Sequence, residues 1–313
     1  MNRSIAFLVI LLSACSYTSR AQQADSLFND FELSELDSIF SFQDSLSIFN
    51  LIDSLLQSEG LYNKSSMAFR LGYNSNATGS GRTLGIDQFG LSPGISYYHK
   101  SGAYMDASGY WSNEYEPSYY LTILSAGYLG AITNKWSILA EYSRYFYSDL
   151  GPDVVVAYEN SLGVSNFIDV KPLTFRLDYT LLFGEKTGHR IMPGVMLNLE
   201  KRNWKGFDRI LFYPSFNLLL GSEQYEQYLP YARTLIGSLI RVRNGLPLYY
   251  LDKGTDFGIM NYSFSLPLSM NVGNWNFLLS YAFNIPKALS NEQFQPENSG
   301  FITASVTRYI RFK

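Results

Sequence analysis

The chain has 313 residues, of which 16% are charged and 16% aromatic, with 25 Tyr and 22 Phe; an average soluble domain carries about 25% charge. So many rings exclude a disordered chain, and one cysteine excludes a disulfide scaffold or a zinc-finger cluster. A net charge of −3 with a pI of about 5.5 removes any general case for nucleic-acid binding, and a mean hydropathy of −0.07 argues against a helical membrane bundle.

The first element reads as an export signal over 1–21. Asn2 and Arg3 give a short charged start, an apolar stretch runs from Ile5 to Leu12, and Ser19-Arg20-Ala21 supplies the small-x-small pattern for cleavage before Gln22. The apolar run is too short for a bilayer, which takes about 20 residues. Leu12-Ser13-Ala14-Cys15 offers a second reading, because it resembles a bacterial lipoprotein box with Cys15 as the lipidated terminus. The mass of the mature N-terminus distinguishes the two.

Residues 22–65 form an acidic leader. Asp25, Asp30, Glu32, Glu35, Asp37, Asp44, Asp53 and Glu59 stand against Lys64, a net of −7, while 66–313 hold 19 acids and 21 bases, a net of +2. An Asp-Ser-apolar phrase recurs at Asp25, Asp37, Asp44 and Asp53, and each Asp-Ser suits the start of a helical turn. Leu36, Ile39 and Phe40, then Leu46, Phe49, Ile52, Leu55 and Leu56, follow the i, i+3, i+4 spacing of an amphipathic helix. The pattern predicts short helices or a partly ordered periplasmic segment; the alternative is a plug or docking helix, on the barrel or on a periplasmic partner.

From Ser66 onward the period changes to two. Met67, Phe69, Leu71 and Tyr73 alternate with Ala68, Arg70, Gly72 and Asn74, and Leu173, Phe175, Leu177, Tyr179, Leu181 and Phe183 alternate with Thr174, Arg176, Asp178 and Thr180. Segments of about ten residues with one apolar and one small polar face are the signature of transmembrane β-strands. They fall near 66–76, 89–98, 103–111, 119–129, 135–147, 154–168, 172–183, 190–200, 207–220, 255–272, 275–285 and 300–313. The prediction over 66–313 is an all-β fold, a transmembrane antiparallel β-barrel of about 12 strands. Aromatics near segment ends, such as Tyr97, Trp136 and Trp275, suit interface girdles. A soluble sandwich is the competing fold, with its apolar faces turned inward.

Connectors alternate in length. Short ones are predicted at 99–102, 130–134, 169–171, 201–206 and 273–274, and longer ones include 77–88, 221–254 and 286–299. Short turns belong on the periplasmic side, which puts both ends of the barrel domain there. The 221–254 connector is the longest, and its apolar 235–240 stretch suggests a helix narrowing the mouth. Tyr231, Arg233, Arg241 and Arg243 are the candidates for that constriction. On the polar strand faces, Arg70, Asp106, Glu141, Glu159, Arg176, Asp178 and Arg209 are expected to line the lumen. Charges of both signs suit either a hydrated channel or an interior closed by paired groups.

The last segment, 301–313, alternates apolar residues and ends on Tyr309, Ile310 and Phe312, with Lys313 after the aromatic. It resembles the terminal strand of Gram-negative outer-membrane β-barrels, and the resemblance implies the barrel assembly machinery as a partner, with outer-membrane lipid and lipopolysaccharide around the chain. Arg308 departs from the pattern by falling on the apolar face. The acidic leader and Tyr97-Tyr98-His99-Lys100-Ser101-Gly102 resemble barrels of the Bacteroidota kind.

Little else suggests chemistry. His99 is expected in a short turn and His189 near the opposite end, so they share no metal or catalytic site. The sequence shows no phosphate loop, dinucleotide fingerprint or zinc-protease motif. The reading is a non-enzymatic barrel without a cofactor, acting as a passive pore for small polar solutes. The alternative is a non-conducting accessory barrel that binds a partner, and a third reading, a lipid-acting enzyme, would use His189.

Overall fold

The computed structural model describes residues 65–75, 78–79, 82–83, 90–112, 118–148, 157–231, 234–290 and 296–312. The signal, Cys15, the leader up to Lys64, and Arg233 lie outside the described residues.

The strands are β1 Ser66–Asn74, β2 Gly90–Tyr98, β3 Ala103–Ser112, β4 Tyr119–Thr133, β5 Trp136–Tyr147, β6 Asn160–Val170 and β7 Leu173–Phe183. β8 runs over Thr187–Leu197 and, past Asn198, over Leu199–Trp204; β9 runs over Phe207–Phe212 and, past Tyr213 and Pro214, over Ser215–Pro230. The helix α1 Leu235–Arg243 precedes β10 Tyr249–Val272, β11 Trp275–Pro286 and β12 Ser299–Arg311. Each strand pairs antiparallel with its neighbours in sequence, and β12 returns to β1 with Ser66 opposite Arg311 and Asn74 opposite Thr303. The sheet therefore closes on itself as a twelve-stranded barrel with no free edge.

The period-two pattern decides which face points where. In β7, Leu173, Phe175, Leu177 and Tyr179 are exposed while Thr174, Arg176 and Asp178 are buried: Leu177 is 50% exposed and Asp178 only 6%. In β11, Trp275, Leu279 and Tyr281 are exposed while Asn276, Ser280 and Asn284 are buried. The apolar face is on the outside, the inverse of a soluble sandwich. Each large apolar side chain left in water forgoes about 1.5–3 kcal/mol, so a belt of them around the whole sheet calls for an apolar solvent.

Tight turns join the strands at one end. Gly102 takes φ +94, and a Cβ there would lie 2.2 Å from the Leu129 carbonyl oxygen. Lys205 and Gly206, at φ +50 and +89, close the β8–β9 hairpin as a two-residue turn of the primed kind. Trp136, Trp275 and Phe312 ring this short-turn end with exposed rings. Here Arg308 finds its explanation: it lies opposite Trp275, its guanidinium carbon 5.3 Å from the ring centroid. An arginine at the outer face near the barrel's end extends its charge toward water while its stem stays on apolar surface.

The largest departures from expectation are in the β8–β10 region. The predicted 201–206 connector is strand up to Trp204, with the turn at Lys205-Gly206, and the 130–134 connector is strand up to Thr133. The predicted 154–168 strand begins at Asn160 and runs to Val170. Most of the predicted 221–254 loop is sheet: β9 and β10 stay paired from Ser215↔Ser265 to Pro230↔Tyr249. Because β11 stops at Asn261↔Pro286 and β10 is paired with β9 as far as Tyr249, β10 runs on past its β11 partner for about 40 Å of strand at about 3.3 Å per residue. At its tip α1 is exposed, Leu235 at 86% and Leu239 at 67%. The helix expected over 235–240 is present, but it stands at the end of the overhang.

Candidate functional site: the enclosed inner wall

The inner wall is where polar chemistry concentrates. Three strands build its first cluster. Arg70 of β1 reaches Asp106 of β3 at 3.4 Å and donates to Ser108 Oγ at 2.7 Å, while Ser108 donates to Asp106 at 2.6 Å and Ser96 of β2 donates to the same carboxylate. The register sets this up, because Ser96 lies opposite Asp106 and Ala68 in the ladder. Gly94 leaves room for the guanidinium, since a Cβ there would come within 2.9 Å of it.

The second cluster spans β3 to β5. Tyr104 donates to Glu141, Ser143 donates to the other oxygen of that carboxylate at 3.1 Å, and Ser125 lies 2.7 Å from Ser143. On β7, Arg176 and Asp178 form an ion pair at 2.5 Å, with Arg176 also 5.9 Å from the Phe167 ring centroid. A fourth cluster lies nearer the loop end: Arg190 of β8 donates to Glu223 of β9 at 2.7 Å, Tyr158 donates to Glu223 at 3.2 Å, and Arg190 also donates to the Ser222 carbonyl.

From β10 to β12 the wall changes character. Asn261, Ser263, Ser265 and Ser269 of β10 face Asn276, Ser280 and Asn284 of β11. Asn261 donates to Asn284 at 3.0 Å, Asn276 donates to Ser269 at 2.7 Å, and Ser265 lies 2.6 Å from Ser215. Over 261–271, 276–284 and 299–307 this arc carries no charge.

The expected lumen residues divide as follows. Arg70, Asp106, Glu141, Arg176 and Asp178 stand on the inward face in the clusters above. Arg209 lies at the short-turn end, in the first part of β9, its Nε 3.2 Å from Glu200. Glu159 stands just before β6 at the loop end, half-exposed, 3.8 Å from Arg144. Arg144 alternates with Ser143 and Tyr145 and so shares the outer face with Tyr142 and Phe146. Of the constriction candidates, Tyr231 packs 5.0 Å from Tyr250 and 4.1 Å from the Arg241 guanidinium carbon, and Arg241 donates to the Pro247 carbonyl at 2.8 Å. Arg243 is exposed. These contacts hold the tip of the overhanging hairpin together. At the chain's end, Tyr309 is inward and donates its N–H to the Asn274 carbonyl at 2.8 Å, Ile310 is outward, and the Phe312 N–H reaches the Ser65 carbonyl at 3.0 Å.

Sequence reasoning missed the Arg190–Glu223 pair. Arg190 precedes an apolar run, and Glu223 falls in a segment taken for loop; only the continuation of the period through Gly221 would have joined them. His189 Nδ1 lies 2.9 Å from the Tyr179 hydroxyl on the outer face. The Ser222 hydroxyl accepts the His189 backbone N–H at 2.9 Å, a contact to the main chain and not to the ring. Among the described residues no cluster of three or more His, Asp or Glu is placed to hold a metal ion.

No protein-family model and no curated protein matches the sequence. Among solved structures the chain is similar to the KdgM porin, with 11% identity and a TM-score of 0.42 over 78% of this chain and 98% of that one. It is similar to the NanC porin at 13% identity and a TM-score of 0.42, covering 77% and 98%. It is also similar to the translocator domain of autotransporter NalP from Neisseria meningitidis at 14% identity and a TM-score of 0.42, covering 86% and 95%.

Proposed function

We propose that the chain is an outer-membrane β-barrel that acts as a passive pore for small polar solutes. The observation that carries this reading is the segregation of the closed sheet: an apolar belt outside, and inside a wall of hydroxyls, amides and paired ions. Ion pairs leave the inner wall with little net field, which suits small polar solutes over strongly charged ones. The even strand number and the alternation of short turns with longer connectors agree with an outer-membrane setting. The purified full chain in a planar bilayer is expected to give steady, voltage-independent conductance steps. A folded, heat-modifiable preparation that never conducts refutes the pore.

A second reading, a non-conducting barrel that binds a surface partner, is favoured by one observation. The β9–β10 overhang presents α1 with an apolar face that nothing among the described residues covers. Apolar surface of this kind usually marks a contact. In that case conductance is absent while a partner is retained through α1.

A further inference from the structure

At the short-turn end each strand joint sets a cation beside an exposed apolar side chain. Lys100 lies between Tyr97 and Met105, Lys135 between Ile132 and Trp136, and Lys171 between Val170 and Leu173, all six neighbours being exposed. In the β8–β9 hairpin Leu199 and Trp204 are exposed, and Nζ of Lys201 and of Lys205 lie 5.2 and 4.7 Å from the Trp204 ring centroid. Arg308 over Trp275, and Arg311 between the exposed Ile310 and Phe312, complete the circuit. The three acids of these turns are already engaged. Asp169 accepts from Thr174 Oγ, Glu200 pairs with Arg202 and Arg209, and Asp208 accepts the Gly273 N–H at 2.5 Å. Lys100, Lys135, Lys171, Lys201 and Lys205 are exposed, and none makes an ion pair among the described residues. Near the loop end the outer-face Arg144, by contrast, stands 3.8 Å from Glu159.

A lysine at the edge of an apolar belt lays its methylenes along that belt and lifts its ammonium to the headgroup level, where interfacial aromatic rings also sit. The anion within reach at that level is a lipid phosphate. Basic side chains close to an anionic lipid surface add their attractions, which salt screens within a Debye length. We propose that the short-turn rim binds anionic phospholipid headgroups of the leaflet it faces, through Lys100, Lys135, Lys171, Lys201 and Lys205. Two features select this occupant: the rim is continuous with the outward apolar belt, and its unpaired charge is of one sign. The inference rests on the barrel spanning a bilayer and not on conduction.

The test reconstitutes the chain from Gln22 onward in phosphatidylcholine vesicles. A trace of phosphatidylglycerol or of phosphatidylcholine carries a nitroxide low on its acyl chain, and electron spin resonance reads the motionally restricted fraction at the protein surface. At low salt phosphatidylglycerol should associate about threefold more strongly than phosphatidylcholine, and the preference should vanish at about 1 M salt. The variant Lys135→Gln/Lys171→Gln/Lys201→Gln/Lys205→Gln changes only exposed side chains and should abolish the preference, whereas Arg144→Gln at the other end should keep it. Equal association of the two lipids with the intact chain overturns the proposal. A preference that survives the four substitutions, or that Arg144→Gln removes, also overturns it, the latter assigning the lipid to the loop end. If neither lipid shows a restricted fraction, the membrane barrel itself fails and the proposal with it.

Discussion

The two arcs of the inner wall are built on one alternation yet hold different side chains. From β1 to β9 the inward positions include Arg70 with Asp106, Tyr104 with Glu141, Arg176 with Asp178, and Arg190 with Glu223. From β10 to β12 the polar inward positions are mostly Ser and Asn, several of them joined to one another by neutral hydrogen bonds. The difference teaches which positions the fold cannot change singly. A charge withdrawn from water costs several kcal/mol and is tolerated only beside its opposite or, as at Glu141, among hydrogen-bond donors. A hydroxyl or amide costs far less and has several acceptable partners. The charged arc is therefore a set of fixed pairs, and the neutral arc is a surface on which partners exchange.

Substitutions that break one arc and spare the other make the contrast quantitative. Asp178→Ala removes the carboxylate beside the buried Arg176 guanidinium and should lower stability by about 3–5 kcal/mol, read from the urea midpoint of unfolding in bicelles. Asn284→Ala, in the neutral arc, takes away the acceptor of Asn261 and should cost about 1–2 kcal/mol in the same assay. Ser280→Ala should change stability by no more than about 0.5 kcal/mol in either direction, because Ser280 Oγ has no hydrogen-bond partner among the described residues. If all three substitutions cost the same, the distinction between the arcs fails.

How much of this the sequence disclosed follows from where each strand sits. β7 and β11 were legible almost to the residue, because lipid outside and polar groups inside impose strict alternation along their whole length. The β9–β10 overhang was not. Beyond the belt both faces meet water, so Gln224, Tyr228, Asp252 and Lys253 carry no period of two, and Gly221 and Gly254 read as breakers. The helix α1 was visible as an apolar stretch, yet its position at the tip depended on strands that composition did not reveal. Arg308 looked misplaced for a related reason: the alternation records which face a residue takes, not how near it lies to the membrane's edge. Among the site residues, those flanked by regular alternation, such as Arg70 and Arg176, stand where the period puts them. Glu159, at a strand's margin, does not.

The account depends on the apolar face of each strand meeting lipid while the other face lines an enclosed space. Nitroxide accessibility along β7 tests this most directly, with single labels at residues 173–180 in nanodiscs and collisions measured with oxygen and with a water-soluble nickel complex. Labels at Leu173, Phe175, Leu177 and Tyr179 should favour oxygen, and labels at Thr174, Arg176, Asp178 and Thr180 should not, alternating residue by residue. Uniform access of the nickel complex to the four apolar positions, in a chain that is folded, would contradict the account.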